Sequence, residues 1–300
     1  MSSSDILRLI VLAAIWGASF LFMRIIAPAL GPLWTAETRI FIAGLVMLAV
    51  LAARRQPVGM RRHWKAYAVI GLLNSAMPFA LFSYAALTLP AGYSAIVNAT
   101  TPLWGAVMGA IMLGERFTLR KGIGLATGVI GVSFLVRLGP AQFTPQLVLA
   151  ALACTAATFC YGIAGAYSKK TSKHVAAPLL ATGSQLAGAI LMMPLLPLAP
   201  PHGTVTPLVL ASIAALALLC TAVAYFIYYD LIVKIGTRAL SVTFLIPLFA
   251  LLWGALFLDE TVNASMLTGC GIVVLATWLV VFEGGKQTAA HTAAAAPATK

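Results

Sequence analysis

Residues 102–115 read PLWGAVMGAIMLGE, and residues 247–260 read PLFALLWGALFLDE. The two stretches lie 145 positions apart and keep Pro, Leu, Gly and Glu in register without a gap. Each is a largely apolar run that opens on proline and closes on glutamate. Working outward, the same shift lays Trp16-Gly17 on Tyr161-Gly162, Arg24 on Lys169, Tyr84 on Tyr229 and Gly124 on Gly269. A bilayer-spanning helix needs about 20 mostly apolar residues. That rule finds ten candidate spans, near 6–26, 33–52, 66–88, 92–113, 120–138, 146–168, 176–197, 206–232, 237–258 and 262–282. Five spans fall in each copy. An odd number forces the second copy to enter the membrane upside down, the sequence trace of an inverted repeat. The expected fold is an all-α membrane protein: ten transmembrane helices, as two inverted five-helix repeats around a central cavity. Residues 1–138 form the first repeat and 146–283 the second, with 284–300 a disordered tail of small residues.

Composition agrees with lipid as the solvent. The chain is 61% hydrophobic and 9% charged, where a soluble domain carries about 25% charged residues. The net charge of +12 suggests nucleic acid only until its placement is read. Arg54, Arg55, Arg61, Arg62 and Lys65, then Arg116, Arg120 and Lys121, then Lys169, Lys170 and Lys173, then Lys234 and Arg238 fall in alternate breaks. Arg8 and Lys286 flank the ends on the same side. The other breaks hold only Arg24 and Arg137 near their edges. This asymmetry puts both termini in the cytoplasm of a cell inner membrane. It assigns the charge to topology and anionic lipid, with no nucleic-acid partner. The breaks carry turn chemistry, for example Gly31-Pro32, Pro90-Ala-Gly92 and Gly139-Pro140. The first apolar run could pass for a signal peptide, but it is long enough to span and is read as retained. Cys154, Cys160, Cys220 and Cys270 lie in apolar runs with no C-x-x-C, which supports neither a disulfide framework nor a metal site.

The chain resembles the drug/metabolite transporter superfamily, in particular its EamA-type ten-helix members. The resemblance rests on Ala14-Ile15-Trp16-Gly17-Ala18-Ser19-Phe20, Arg39, Pro102, Gly114-Glu115-Arg116 and Gly122, Gly124, Gly128 and Gly131 in the first half. In the second it rests on Pro247, Asp259-Glu260, Gly269 and Gly271. Asp259 stands where Gly114 stands, and Ser184 where Arg39 stands, so the halves need not do equal work. The resemblance implies export of amino acids, aromatic or bulky apolar ones among them, or of related metabolites. A multidrug or other metabolite carrier of the same fold is the alternative. From another class, an intramembrane enzyme or a structural membrane subunit competes.

Several clusters are candidates for the site, each with a plainer reading. Pro102 and Pro247, mid-span and repeat-equivalent, free backbone carbonyls and suit hinges or gates; the plainer reading is a packed kink. Ser94, Asn98 and Thr101 fall with Gly105 on one face of span four, where a polar stripe lines a cavity or bonds another helix. Deep aromatics suit an amphipathic ligand or simple packing. They are Phe79 and Tyr84 in span three, beside Ser83, Tyr225 and Tyr229 in span eight, and Trp16, Tyr161 and Trp253. Arg39 reads as a carboxylate clamp or, the favoured reading, a structural pair with Glu37 or with a helix C-terminus. Asp230, four residues before Lys234, reads as an interfacial ion pair, and Glu115 and Glu260 as local caps.

Enzyme chemistry has little to stand on. His63, His174, His202 and His291 lie in loops or the tail, so no Ser-His pair or metal cluster forms within the spans. No Walker-type loop is present to use ATP. The expected cofactors are none. The expected partners are a small-molecule substrate and the bilayer, with a monomer favoured over a dimer. Spans one, three and four with six, eight and nine are expected to line the cavity.

Overall fold

The computed structural model describes residues 2–138, 144–172 and 174–294. The Gly139-Pro140 break, Lys173 and the last six residues of the tail lie outside them. Among the described residues, nine helices are long and apolar enough to cross a membrane. The first, Ser3–Ala53, carries spans one and two, because Gly31 (φ 78°, ψ 164°) between Pro28 and Pro32 breaks the helical path. The positive φ suits glycine, which has no Cβ to clash. At 1.5 Å per residue the 51-residue helix would otherwise reach about two and a half times the bilayer core. Spans three to ten follow as Met60–Ala85, Ala91–Leu113, Leu119–Val136, Pro145–Thr171, Ala177–Leu198, Pro207–Ile235, Arg238–Phe257 and Ala264–Val281. Ten spans return the chain to the side where it began. That side is called here the terminal end, and the other the far end.

Helix starts follow their caps. Ser2 and Asp5 form a capping box. Thr144 and Thr206 accept from the N–H groups of Leu147 and Val209, each just ahead of a proline in the first turn. The final helix runs Ala264–Ala294, and its closing stretch is rich in alanine, the strongest helix former.

The inverted repeat appears in the packing as well as the sequence. Gly124 of span five lies against Val280 of span ten, and its counterpart Gly269 lies against Leu135, the counterpart of Val280. Gly17 of span one meets Phe249 of span nine, and Gly162 of span six meets Trp104 of span four. These are again counterparts, and in both a Cβ on the glycine would come within 2.8 Å of the facing span. Helices associate closely in lipid through such small residues. Gly162→Ala should therefore overpack the span four–six contact and cost about 1–3 kcal/mol. It should lower the thermal unfolding midpoint in detergent. Gly165→Ala, which enters open space, should leave the midpoint unchanged.

The same contacts sort the spans into groups that cross the two sequence halves. Leu9, Leu12 and Ala13 of span one share a cluster with Ala224 and Leu231 of span eight and Val242 of span nine. In the mirror image, Cys154 and Ala157 of span six pack with Phe82 of span three and Ile96 and Val97 of span four, in a larger cluster that also takes in Phe20 of span one, Cys220 of span eight and Ile246 of span nine. The repeat maps spans one, eight and nine onto six, three and four, so one group is spans one, eight and nine and its mirror is six, three and four, with the larger cluster where they meet.

Candidate functional site

Between these groups lies a polar and aromatic centre. It starts from two irregular stretches. Leu72–Ala76 in span three and Ala215–Val223 in span eight are wound as π-helix, and they are repeat-equivalent. A π-turn carries one extra residue, mis-pairs the backbone locally and is frequent at functional sites. In span eight the Thr221 hydroxyl reaches back to the Leu216 carbonyl at 2.9 Å. That leaves its oxygen free to accept, and it does so from Arg39 Nε at 2.9 Å. The Arg39 guanidinium lies 3.7 Å above the Phe79 ring and is only 6% exposed. Tyr161 and Tyr225 are close enough to feel its charge. Asn74, from the π-segment of span three, donates to the Tyr225 hydroxyl at 3.5 Å. Arg39 therefore sits where both groups meet. Met23, Thr221 and Tyr225 come from one, Phe79 and Tyr161 from the other.

The expected pair with Glu37 is not formed. Among the described residues Arg39 makes no ion pair. Residues two apart on a helix do not share a face, so adjacency in sequence kept the two charges apart. Glu37 is itself buried, and its Oε2 has no hydrogen-bond partner among the described residues.

The other expected residues divide. Tyr161 stacks near Phe82, with centroids 6.2 Å apart, and Tyr225 on Tyr229 at 5.8 Å. Trp16 lies against Tyr228 at 5.1 Å. With Phe79 these belong to the centre. Trp253 donates to the Ala14 carbonyl at 2.9 Å and so ties span nine to span one. Ser94 is buried against the Cys154 thiol, a contact between helices four and six. Ser83 is fully buried, with no partner for its hydroxyl among the described residues. Tyr84 is exposed in the last turn of span three and lies apart from the centre. Asn98 and Thr101 flank a real break, since span four is two helices, Ala91–Asn98 and Thr101–Leu113. Pro102 cannot bond the Asn98 carbonyl, and the Thr101 hydroxyl does so instead at 2.7 Å. Thr277 of span ten takes the Ala99 carbonyl, also at 2.7 Å. Pro247 sits within an unbroken helix, Val242–Phe257, so the two prolines are equivalent in sequence and unequal in shape.

The two glutamates mark the ends. Gly114 and its counterpart Asp259 both take left-handed backbone, φ 68° and 53°, a region glycine favours and aspartate tolerates. The turn brings the Glu115 N–H back to the Gly109 carbonyl at 3.2 Å and the Glu260 N–H to that of Gly254 at 3.1 Å. Each carboxylate then lies over its glycine. At the far end Glu260 lies 3.7 Å from Arg24, and both its oxygens accept from the Ala91 N–H at 2.9 Å. That N–H opens span four, where the helix dipole favours an anion. Arg24 also donates to the Ala86 carbonyl at 2.6 Å. Burial pushes the Glu260 carboxyl above the usual range, while the Ala91 N–H and Arg24 pull it down. At the terminal end the mirror pair Glu115–Lys169 stands 3.5 Å apart with both side chains exposed. Its partners do not include Gly236, the counterpart of Ala91. A recess of about 570 Å³ opens there, lined by Met112, Leu113, Glu115, Lys169 and Lys170. Asp230, in span eight, is paired with Arg8 and Lys234. The far end is bridged between the two groups; the terminal pair stays within one group.

A ten-span inverted repeat with a charged centre and paired ends invites comparison with known proteins. The family model described as the EamA-like transporter family matches residues 4–137 and again 148–282. The chain belongs to the EamA-like transporter family. It is 29% identical to protein PecM of Dickeya dadantii over 90% of this chain and 89% of that one. It is 23% identical to the "probable amino-acid metabolite efflux pump" of Escherichia coli, over 94% and 96%. With the "probable terminal-alkyne amino-acid exporter" of Streptantibioticus cattleyicolor it shares 25%, over 93% of each. A solved crystal structure matches with a TM-score of 0.64 at 20% identity, over 96% of this chain and 99% of that one; this is a likeness of fold. The EamA-like chain is thus a membrane transporter of small molecules.

Two residues of this centre are less legible in the sequence. Arg39 reads there as a carboxylate clamp or a structural pair, and span two is not among the spans expected to line the cavity. Asn74 carries no pattern of its own and reaches the centre through a π-turn that has no residue signature. A usable signal existed for Arg39: its repeat counterpart is Ser184, so nothing in the shared scaffold requires a cation there.

Proposed function

We propose that this chain is a secondary exporter of amino acids, bulky apolar and aromatic ones among them, that works by alternating access. On this reading it lies in a cell inner membrane with its basic terminal end in the cytoplasm. The observation that carries the reading is the mirrored, unequal pair of end contacts. Glu260 and Arg24, on the group of spans one and nine, bridge to Ala86 and Ala91 on the other group. Glu115 and Lys169 hold the mirror positions without the bridge. An inverted repeat supplies two conformations of equal architecture in which the engaged end is exchanged. The bodies that rock are the three-span groups rather than residues 1–138 against 146–283. The amino-acid class draws support from the printed names of the Escherichia coli and Streptantibioticus relatives.

The test is flux of a panel of amino acids in proteoliposomes, with and without a pH gradient. Saturable movement of bulky apolar or aromatic amino acids above empty vesicles is expected. A panel without a transported amino acid would remove this substrate class. Orientation is read separately: a cysteine replacing Arg61 or Lys170 should react from the cytoplasm, and one replacing His202 from outside.

A further inference from the structure

We propose that Arg39 is the anion-binding group of the transport site, so that the substrate's carboxylate is seated on this guanidinium. The proposal rests on the reading of the chain as a carrier of small organic metabolites and names the chemical feature that it selects. A cation at membrane depth normally pairs with an acid or with backbone carbonyls. The contacts of Arg39 are neutral: a hydroxyl on Nε, a thioether 3.9 Å from Nη1 and the face of Phe79. Among the described residues it makes no ion pair with a carboxylate, and the buried Glu37, two residues away, does not share its helix face. Thr221 and Phe79 together fix the fork by one edge and one face. A planar guanidinium held that way presents its remaining N–H groups as a bidentate seat, the geometry a carboxylate matches.

The surroundings define the rest of the ligand. The phenols of Tyr161 and Tyr225 and the Asn74 amide supply neutral polar atoms. Phe82, Tyr229 and Trp16 supply flat apolar walls beside them. The fitting substrate is a monocarboxylate with a bulky apolar or aromatic body. An α-ammonium group would find π faces and amide oxygen rather than an acid, so it should add little selectivity. A position between the two three-span groups lets either conformation reach the charge.

The experiment compares phenylalanine with phenylalanine amide, and phenylacetate with phenylacetamide, as competitors or as ligands of the purified protein. In the unmodified protein each acid should bind about ten- to a hundred-fold tighter than its amide, the range for a hydrogen bond to a charged group. Arg39→Gln should bring that ratio to near one while thermal unfolding still shows a folded protein. Arg39→Lys, which keeps the charge and loses the fork, should restore part of it. An acid/amide ratio unchanged in both variants overturns the proposal and leaves Arg39 a packing residue. If Arg39→Gln does not fold, Arg39→Lys alone decides by the same ratio. The two readings fail differently. Phenylacetate preferred in an Arg39-dependent manner, with no binding of phenylalanine, refutes the amino-acid class and keeps the anion seat. Transport of phenylalanine with a variant-independent ratio does the reverse.

Discussion

Cysteines replacing Ala91 and Gly254, once oxidised to a disulfide, are expected to stop transport. A Cβ at position 254 would lie 3.7 Å from that of Ala91, within the span of about 3.5–4.5 Å that a disulfide needs. The bond would join span nine to the start of span four, across the boundary between the three-span groups. It would hold the far end shut whatever occupies the centre. Transport should then fall by roughly a hundred-fold, to the leak of empty vesicles, because every cycle must open that end. Reduction should return the starting rate. The reference is the reduced double variant, since a side chain at 254 already displaces the Glu260 carboxylate. The native cysteines are all buried and offer little competing chemistry. An oxidised protein that still transports at the reduced rate would show that the far end need not open.

The difference between what could and could not be read from the chain has a physical cause. Spans were legible because lipid sets a length and forbids unpaired backbone, and those constraints are local. The repeat was legible through residues whose role is also local: Gly114 and Asp259 in a left-handed turn, Gly109 and Gly254 making room for a folded-back glutamate. Partnerships across the bundle were not. Glu37 and Arg39 looked like a pair because they are close in sequence, and the helix turned them apart. Arg24 and Glu260 gave no hint of each other, lying in different halves. The π-windings of spans three and eight, which bring Asn74 and Thr221 inward, have no composition to betray them. The exchange of spans between groups, one with eight and nine, six with three and four, follows from tertiary packing alone. Tyr84 and its repeat mate Tyr229 differ in their surroundings: Tyr229 stacks on Tyr225, yet Tyr84 is exposed, because a repeat conserves the path of a helix more than the use of each position.

Removing the two glutamates one at a time should push the conformational equilibrium in opposite directions. Glu260→Ala takes away the acceptor of the Ala91 N–H and the partner of Arg24. Breaking a charge-assisted bond at a largely buried site costs about 2–4 kcal/mol, or roughly thirty- to a thousand-fold in a two-state population. The loss falls on the conformation with the far end closed, because only there is the bridge made. A reporter cysteine at Ala91, where a Cβ is already accommodated, should then react much faster from the far side, and transport should slow because that end no longer closes firmly. Glu115→Ala should do little to the present conformation, where its pair with Lys169 is exposed and worth about 0–1 kcal/mol. Its cost appears when the terminal end closes. In that conformation the mirror rule places its carboxylate on the Gly236 N–H, as Glu260 is placed on Ala91. The variant should therefore hold the far end shut more firmly than the unmodified protein, and the cysteine at Ala91 should react more slowly. A pair of plain structural caps would behave otherwise: both variants would lower the unfolding temperature and neither would change the side from which residue 91 is labelled. Equal labelling rates in the two variants would thus refute the mirrored latch, and rates displaced to opposite sides of the unmodified protein would support it.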